Sequence, residues 1–189
     1  MYAKAEINRF SIDGPVLITP KAFADARGLF SEVYRAEAFN KIIGQSVAFA
    51  QDNLSISAKS GTVRGLHAQK SPHGVGKLVQ CLRGSITDIA VDARKDSPTY
   101  GQYVSANLSE SNRAQLWVPE GFLHGYATLC DDCLVYYKQT GCYAPNSEIS
   151  IMWNDPDLAI DWKMSAPNAI LSDKDACAAN FAHFKSPFA

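Results

Sequence analysis

Glycine and proline interrupt this chain at short intervals, and their spacing constrains the fold more than any other feature. Between positions 61 and 145 the two residue types occur thirteen times. The longer segments between them are rich in β-branched and aromatic side chains. Gly and Pro mark turns, whereas segments of this composition are typical of strands. The pattern therefore predicts a protein built mainly of short β-strands.

Ten strands are predicted from these segments, over residues 15–19, 47–57, 62–69, 77–83, 85–93, 102–108, 114–118, 122–129, 134–140 and 148–153. Ten short strands with turn signals about every ten residues are typical of a β-sandwich or barrel. Helix is predicted only over 35–43, where an apolar stripe runs along one face, and after Ser172. The predicted fold class is therefore all-β with few short helices.

Length and charge narrow the domain organisation and the possible partners. With 189 residues, 47% of them hydrophobic, the chain can form one domain over 1–189 without a disulfide. A formal net charge of −1 argues against nucleic-acid binding and against a basic membrane-surface protein. No apolar run approaches the roughly 18 residues of a membrane span, and residues 1–6 show no secretory signal. We therefore expect a cytoplasmic protein with no nucleic-acid or membrane partner.

The five cysteines are an odd number without an export signal, so we expect reduced thiols. Cys130 and Cys133 have the spacing of half a zinc site. No second Cys pair or His-x-His lies at a matching distance. We therefore interpret residues 130–133 as a loop between two strands whose thiols have no shared role.

Two predicted strands place an ionisable residue on the same face as small apolar ones. Asp88 shares one face of its strand with Ile86 and Ala90, and Lys77 shares a face with Val79. Such a face either meets solvent or lines a water-filled cavity. A sandwich with polar side chains on an inner face can hold a ligand.

Residues 61–69 and 119–124 resemble the two signature segments of the cupin double-stranded β-helix, a jelly-roll fold. The two segments contain His67 and His124. Metal-binding cupins carry a second histidine two positions after the first, on the same strand face, and this chain has Gln69 there. We therefore predict a barrel without a metal, in which His67 is a candidate acid or base. The alternative is a purely structural histidine.

Seven segments carry a more specific similarity: 23–32, 51–55, 64–69, 76–79, 92–99, 119–125 and 153–156. Together they closely resemble the dTDP-4-dehydrorhamnose 3,5-epimerase family, in the family's order. The resemblance implies a metal-free cupin that needs no cofactor and forms homodimers. It implies the substrate dTDP-4-keto-6-deoxy-glucose, which would be epimerised at C3 and C5 on the route to dTDP-rhamnose.

The resemblance also implies which residues carry the reaction. His67 resembles the general base that removes the protons beside the C4 ketone, and Asp175 resembles the carboxylate that pairs with it. Tyr137 resembles the acid that reprotonates the opposite face, and Lys77 resembles the cation near the keto oxygen. Inversion beside a ketone needs a base, an acid and a positive group where enolate charge develops.

Each of these residues has an alternative role when its spacing alone is considered. Asp175 lies three positions after Ser172, as in a helix capping box. Tyr137 could be an ordinary strand aromatic, and Lys77 could begin an exposed strand.

A further set resembles the substrate-contact positions of the family: Arg27, Phe30, Glu32, Gln51, Asn53, Arg64, His124, Tyr143, Glu148 and Lys174. Because arginine suits phosphate oxygens, we expect the basic residues of the site to meet at one barrel mouth, namely Arg27, Arg64, Lys77 and Lys174. Asp88 is expected to pair with Lys77 or His124. Leu29 and Cys142 replace aromatic residues that are common in the family, so fewer rings are available to stack on the base of the nucleotide. The resemblance therefore predicts the reaction at the sugar, and the identity of the base stays open.

Strand geometry adds one further expectation. Arg64 and His67 are three residues apart, so a flat strand would point them to opposite faces. If both meet the ligand, the strand needs a bulge, and Gly65 is the natural place for it.

Several alternatives stay open at this point. The chain could epimerise one carbon only of a related nucleotide-linked 4-keto sugar. It could be a metal-dependent cupin, or a sugar-nucleotide-binding cupin without activity. A homodimer is implied by the resemblance, and the strand at Val16, Leu17 and Ile18 could add to a partner's sheet.

Overall fold

The computed structural model describes residues 2–189, and β-strands make up most of its regular structure. The strands are β1 (Glu6–Arg9), β2 (Val16–Thr19), β3 (Ala22–Asp25), β4 (Gly28–Ser31), β5 (Gln51–Ser57), β6 (Val63–Gln69), β7 (Lys77–Arg83), β8 (Ser85–Asp92), β9 (Tyr103–Ser109), β10 (Gln115–Val118), β11 (Phe122–Thr128), β12 (Cys133–Gln139) and β13 (Glu148–Ser150). The α-helices are α1 (Ala36–Ile43) and α2 (Asp173–Ala176). Single 3-10 turns cover Tyr2–Lys4, Pro145–Ser147, Ala166–Asn168 and Phe181–His183. The prediction of an all-β, cupin-like fold with few short helices is confirmed.

Two antiparallel sheets pack face to face, and a hairpin stands apart from them. The six-stranded sheet has the order β1-β2-β10-β7-β12-β5, and the five-stranded sheet has the order β13-β6-β11-β8-β9. Strands β3 and β4 form the separate hairpin. Apolar side chains from both sheets, such as Val79, Val135 and Leu116 on one and Ile86 and Ala90 on the other, fill most of the space between them.

Strand β8 is covered on both faces. Ile86 and Ala90 pack in the space between the sheets, whereas Ile89 and Val91 pack under the C-terminal segment with Trp162. The alternation predicted for this strand is therefore confirmed. Asp88, on the same face as Ile86, is fully buried, so this face points to the interior and not to solvent.

Helix α1 covers the outer face of the six-stranded sheet. Phe39 is fully buried and packs edge-on against Trp117, with ring centroids 5.3 Å apart. The helix ends at Gly44, whose φ of 73° is left-handed and whose N–H donates to the Asn40 carbonyl. No helix within residues 2–189 has the length and apolarity needed to cross a bilayer.

The structure corrects some of the predicted strands. The segment 47–57 is a strand only from Gln51 onward, because Val47 and Phe49 pack into the cluster around α1. The strand predicted over 148–153 ends at Ser150. Strands β1, β3 and β4 were not predicted, because nearly all of their residues are exposed and give no alternation of burial.

Strand β2 has no free edge. It pairs with β1 through Ile18 and Ile7, and with β10 through Leu17 and Leu116. The prediction that this segment could add to a partner's sheet is therefore wrong, because both rows of its backbone hydrogen-bonding groups are used within the chain.

Candidate active site

A cavity of about 510 Å³ opens between the two sheets at one end of the sandwich. The five-stranded sheet contributes His67 from β6 and His124 from β11. The six-stranded sheet contributes Lys77 from β7 and Tyr137 from β12. The remaining lining residues are Leu54, Ser55, Thr62, Val63, Arg64, Tyr126, Ile170, Leu171, Ser172, Lys174 and Asp175. Ionisable side chains thus replace the apolar interior at this end.

A smaller hollow of about 90 Å³ adjoins the cavity, because His67, Lys77 and Tyr137 line both. Tyr143 and Glu148 belong to this second hollow. The two spaces together form one elongated site with the ionisable groups at its centre.

A bulge in β6 brings Arg64 and His67 to the same side. His67 pairs with His124, and Arg64 pairs with Tyr126. An advance of three residues on β6 therefore matches an advance of two residues on β11. At Gly65, φ is 119°, and a Cβ atom would lie 2.6 Å from the His124 carbonyl oxygen. Only glycine fits so close to the neighbouring strand. The predicted bulge at Gly65 is confirmed.

His67 and Asp175 form a close pair. The His67 Nε2 lies 2.5 Å from Asp175 Oδ1, and Asp175 is buried. Burial alone would raise the pKa of Asp175, but the hydrogen bonds from His67 and Ser172 outweigh it and hold the pKa below its ordinary value. An ionised carboxylate only accepts, so His67 Nε2 donates to it. The Nδ1 atom keeps the lone pair that a general base uses.

The chain between residues 170 and 175 places Asp175 over β6. Ile170 pairs with Thr62 in a parallel bridge, and the Ile170 carbonyl accepts the Val63 N–H at 3.0 Å. Helix α2 then begins after Ser172, whose Oγ accepts the Asp175 N–H and donates to Asp175 Oδ2 at 2.9 Å. The helix cap and the pairing with histidine, which the sequence presented as alternatives, thus occur at one residue, because Asp175 uses its backbone N–H for the cap and its carboxylate for His67.

Lys77 and Tyr137 face this pair from the other sheet. Burial lowers the pKa of Lys77 from 10.5 to about 8, although the carboxylates of Asp88 and Glu148 limit the decrease. Burial raises the pKa of Tyr137, and the charge of Arg64 opposes part of this rise. A phenol with a raised pKa keeps its proton at neutral pH, as a general acid must.

His124 and Asp88 form a second buried pair, with His124 Nε2 2.8 Å from Asp88 Oδ1. Burial lowers the pKa of His124, and the positive charge of Lys77 adds to the effect, while Asp88 opposes it. The expectation that Asp88 pairs with Lys77 or His124 is confirmed for His124.

Glu148 joins the side chains around the smaller hollow. It accepts from Lys174 Nζ at 2.8 Å and from the Tyr143 hydroxyl at 3.0 Å. Burial would raise its pKa, but these two hydrogen bonds keep the pKa below its ordinary value. Gln51 accepts the Tyr143 N–H at 2.9 Å and donates to Asn53 at 2.6 Å. Five of the predicted contact residues therefore form one hydrogen-bonded rim.

The sequence and the fold have counterparts in known proteins. Residues 9–183 match the sequence model of the dTDP-4-dehydrorhamnose 3,5-epimerase family. The chain belongs to this family.

Individual relatives agree with the family match. The dTDP-4-dehydrorhamnose 3,5-epimerase of Salmonella typhimurium is 48% identical over 168 residues, which are 89% of this chain and 91% of the relative. The dTDP-4-dehydrorhamnose 3-epimerase of Streptomyces niveus is 39% identical over 165 residues, 87% and 79% of the two chains. The crystal structure of dTDP-6-deoxy-D-glucose-3,5-epimerase from Legionella pneumophila, in complex with dTDP-4-keto-L-rhamnose, has a TM-score of 0.91 and 41% identity, and covers 96% of this chain and 95% of that one.

Three residues expected at the site of a dTDP-4-dehydrorhamnose 3,5-epimerase family member lie elsewhere in this chain. Arg27 and Phe30 belong to the β3–β4 hairpin and line a separate surface hollow. Arg27 pairs with Asp25 at 2.6 Å, and 90% of its side chain is exposed. Glu32 binds Arg35 at 2.6 Å and accepts the Tyr2 N–H. The expectation that Arg27 meets the other basic residues at one mouth is wrong within a single chain, because the hairpin stands apart from the sandwich.

Gln69 occupies the position of a metal ligand in other cupins, and its polar atoms are all engaged. Its Nε2 donates to the carbonyls of His73 and Cys142, and its Oε1 accepts the Ala144 N–H at 2.7 Å. The side chain therefore ties together the loops beside the smaller hollow. Among residues 2–189, no three His, Cys, Asp or Glu side chains are grouped so that they could share a metal ion.

Eight of the fifteen residues that line the cavity were not predicted as site residues, and Tyr126 and Ser172 are two of them. Tyr126 follows His124 by two positions on β11, so the period of a strand could have placed it in the cavity. Its hydroxyl donates to Ser55 Oγ at 3.0 Å. Ser172 was recognised only as a helix start, although its Oγ also holds the Asp175 carboxylate.

Proposed function

We propose that this chain epimerises dTDP-4-keto-6-deoxy-D-glucose at C3 and C5, giving dTDP-4-keto-L-rhamnose, without a cofactor. One observation carries the proposal: His67 on one sheet, paired with Asp175 of α2, faces Tyr137 and Lys77 on the other sheet across a cavity of about 510 Å³. Inversion at carbon requires proton removal and proton return on opposite faces, and two facing sheets supply groups on both sides.

The first step is proton removal from the carbon beside the ketone. His67 Nδ1 takes this proton, and Asp175 stabilises the imidazolium that forms. The electron pair of the broken C–H bond moves into the enolate, and negative charge collects on the C4 oxygen. The ammonium of Lys77 stabilises that charge.

The second step is proton return from the opposite side. The Tyr137 hydroxyl donates its proton to the carbon, and the enolate returns to the ketone with inverted configuration. The tyrosinate then recovers a proton, and His67 loses one, through solvent. Two such cycles, at C3 and at C5, account for the double epimerisation.

The remainder of the substrate is a nucleoside diphosphate. Arg64 and Lys174 line the cavity, and their charges suit phosphate oxygens. The rim, which includes Gln51, Asn53 and Tyr143, offers an aromatic ring and amide groups to the nucleoside.

We further propose that the protein acts as a homodimer, in which the β3–β4 hairpin of one subunit reaches the cavity of the other. Phe30 is 61% exposed and Leu29 is 53% exposed, and large exposed apolar side chains that follow one another in this way mark an interaction surface. The hairpin would bring Arg27 and Phe30 to the nucleotide, as the family resemblance implies. Leu54 and Ile56, 60% and 61% exposed on the edge strand β5, offer a second apolar contact.

We also propose that residues 1–189 act as one domain in the cytoplasm, with no nucleic-acid or membrane partner. The formal net charge of −1 and the family match over 9–183 support this organisation.

A single-carbon epimerase is the second candidate, because a relative at 39% identity is named a 3-epimerase. Incubation with the dTDP-4-keto sugar in heavy water, followed by NMR, distinguishes the two. Double epimerisation places deuterium at both C3 and C5, whereas deuterium at C3 alone would refute it.

Variants test the residue assignment. His67→Asn and Tyr137→Phe should each abolish formation of the L-configured product. Tyr136→Phe is the matched control, because Tyr136 is the preceding residue on β12 and lines a different hollow. Unchanged turnover in both His67→Asn and Tyr137→Phe would contradict the assignment and favour a different site. Turnover that requires an added metal would instead indicate a metal-dependent cupin, and binding without turnover would indicate a non-catalytic one.

A further inference from the structure

The turn between β11 and β12 holds two thiols in contact. Strand β11 ends at Thr128 and β12 begins at Cys133. Cys133 is fully buried, whereas Cys130 is half-buried. Their sulfur atoms are 3.5 Å apart. The turn lies at the end of β12 away from Tyr137, so these thiols play no part in the proposed reaction.

Contacts from outside the turn fix its backbone. The Asp131 carboxylate accepts the Ser60 N–H at 2.9 Å and pairs with Lys59 Nζ at 3.0 Å. Asp132 has a left-handed φ of 54°, and its carbonyl accepts Arg83 Nε at 3.2 Å. Because both intervening residues are tied to neighbouring segments, the two cysteines stay close together.

We propose that Cys130 and Cys133 are a redox-active pair that forms an intramolecular disulfide by exchange with a small disulfide such as glutathione disulfide. A disulfide bond is about 2.05 Å long, so the two sulfurs need to approach by roughly 1.5 Å. Rotation of the two side chains can supply this movement while the anchored backbone stays in place.

The exchange proceeds in two balanced steps. The Cys130 thiolate attacks one sulfur of glutathione disulfide, which forms a mixed disulfide on Cys130 and releases one glutathione thiolate. Cys133 then loses its proton and attacks the Cys130 sulfur, which forms the internal disulfide and releases the second glutathione thiolate. The two protons from the protein are taken up by the two glutathione thiolates. Two protein thiols are oxidised, and one glutathione disulfide is reduced.

Exposure decides the order in which the two thiols react. Burial raises the pKa of the Cys133 thiol, whose Sγ donates to the Ser85 carbonyl at 3.3 Å. A buried thiol of this kind is a poor first nucleophile, so the half-buried Cys130 reacts first and Cys133 follows. Cys81 is also buried, its Sγ donates to the Arg83 carbonyl at 3.1 Å, and burial raises its pKa to about 12, so it stays a thiol.

Thiol trapping and peptide mapping test the proposal. The full-length protein is incubated with glutathione disulfide, unfolded in denaturant that contains N-ethylmaleimide, digested and analysed by mass spectrometry. The peptides that contain Cys130 and Cys133 should carry no maleimide, should be joined, and should be lighter by two hydrogen atoms. The exposed Cys142 and Cys177 should carry glutathione or maleimide, and dithiothreitol should reverse the internal bond.

Three variants separate the steps. Cys133→Ala should stop at the first step and keep glutathione on Cys130. Cys130→Ser should leave Cys133 as a thiol, and a circular dichroism spectrum like that of the parent shows that it is folded. Cys177→Ser is the matched control and should oxidise like the parent. The proposal is overturned if the parent protein keeps glutathione on Cys130. It is equally overturned if both turn thiols are alkylated after Cys142 and Cys177 have reacted with glutathione.

Discussion

The protonation state of Lys77 should set the alkaline limit of activity. The ammonium lies in the cavity, where burial lowers its pKa from 10.5 to about 8. In the proposed mechanism only the protonated form stabilises the enolate oxygen. Above pH 8 the protonated fraction falls about tenfold per pH unit, so about one-tenth of the protein is active at pH 9. We therefore expect kcat/KM, which reports on the free protein, to fall about fifteenfold between pH 8 and pH 9.5, and about tenfold more by pH 10.5.

Lys77→Met tests this assignment because it keeps the length of the side chain and removes its charge. Loss of a group that stabilises an oxyanion costs about 10²–10³-fold in kcat. The remaining activity should lack the decline that begins near pH 8. Initial rates of product formation between pH 6 and pH 10.5 measure both effects. Lys95→Met, at an exposed position, is the matched control and should keep the parent profile.

Stability provides an independent check on the same pKa. Because the folded protein releases the Lys77 proton at lower pH than the unfolded chain, the unfolded state binds more protons between about pH 8 and 10.5. The free energy of unfolding should therefore gain a contribution that rises with pH across this range, by up to about 3 kcal/mol at ~1.4 kcal/mol per pKa unit. The Met variant should lack this contribution and should be no less stable than the parent at pH 7.

Two results would refute the reasoning. One is a Met variant that retains the alkaline decline at pH 8, since another group would then be titrating. The other is a Met variant that loses activity in proportion to its loss of folded protein in urea titrations, since the charge would then be structural.

Three further predictions follow from other parts of the molecule. Asp175→Asn should reduce kcat by about 10²-fold or more, because the amide no longer fixes the protonation of His67. Steady-state rates measure this loss, and a loss under threefold would contradict the expectation. Gly84→Ala should destabilise the fold by at least about 1–2 kcal/mol, because φ is 81° and the new Cβ would lie 2.7 Å from Cys133 Sγ; a urea titration with an unchanged midpoint would contradict this expectation. Phe39→Ala should lower the free energy of unfolding by about 3–5 kcal/mol, because the ring is fully buried. The kcat of the folded protein should stay unchanged. A change in kcat without a change in stability would contradict this expectation.

Local sequence signals predicted the strands of the sandwich because turns and alternation act over a few residues. Strands β7 and β12 were placed within a residue of their observed bounds. Strand β1 was missed because all four of its residues are exposed, so its sequence shows no alternation. The start of β5 was misplaced because Val47 and Phe49 are apolar for a different reason, their contact with the cluster around α1. Apolar residues show that a segment is buried, but not by which element.

The candidate site was predicted less completely than the strands. Its residues lie far apart in the sequence and meet only in the folded chain. His67 and Asp175 are 108 positions apart, and only the family resemblance linked them. Spacing alone assigned Asp175 to a helix cap, and that cap is present. Arg27 is the converse case, since the resemblance assigns it to the site whereas the single chain places it in a separate hollow. In the homodimer proposed above, Arg27 would act across a subunit boundary, and such a role has no local signal in the sequence.

One local signal could have located the site, namely the order of residues along the inner faces of two neighbouring strands. On β7 the inward residues are Lys77, Val79 and Cys81, and on β12 they are Tyr137, Val135 and Cys133. Because the strands are antiparallel, both series change from ionisable to apolar in the same direction through the sandwich. The ionisable end must stay open to water or ligand, since burying such groups without partners is costly. The apolar end can close, and Cys133 lies there, about 13 Å from Tyr137 at ~3.3 Å per strand residue. Packed core residues thus separate the thiol pair from the reacting groups. One sandwich can therefore hold a solvent-filled cavity at one end and an oxidisable turn at the other, without direct contact between them.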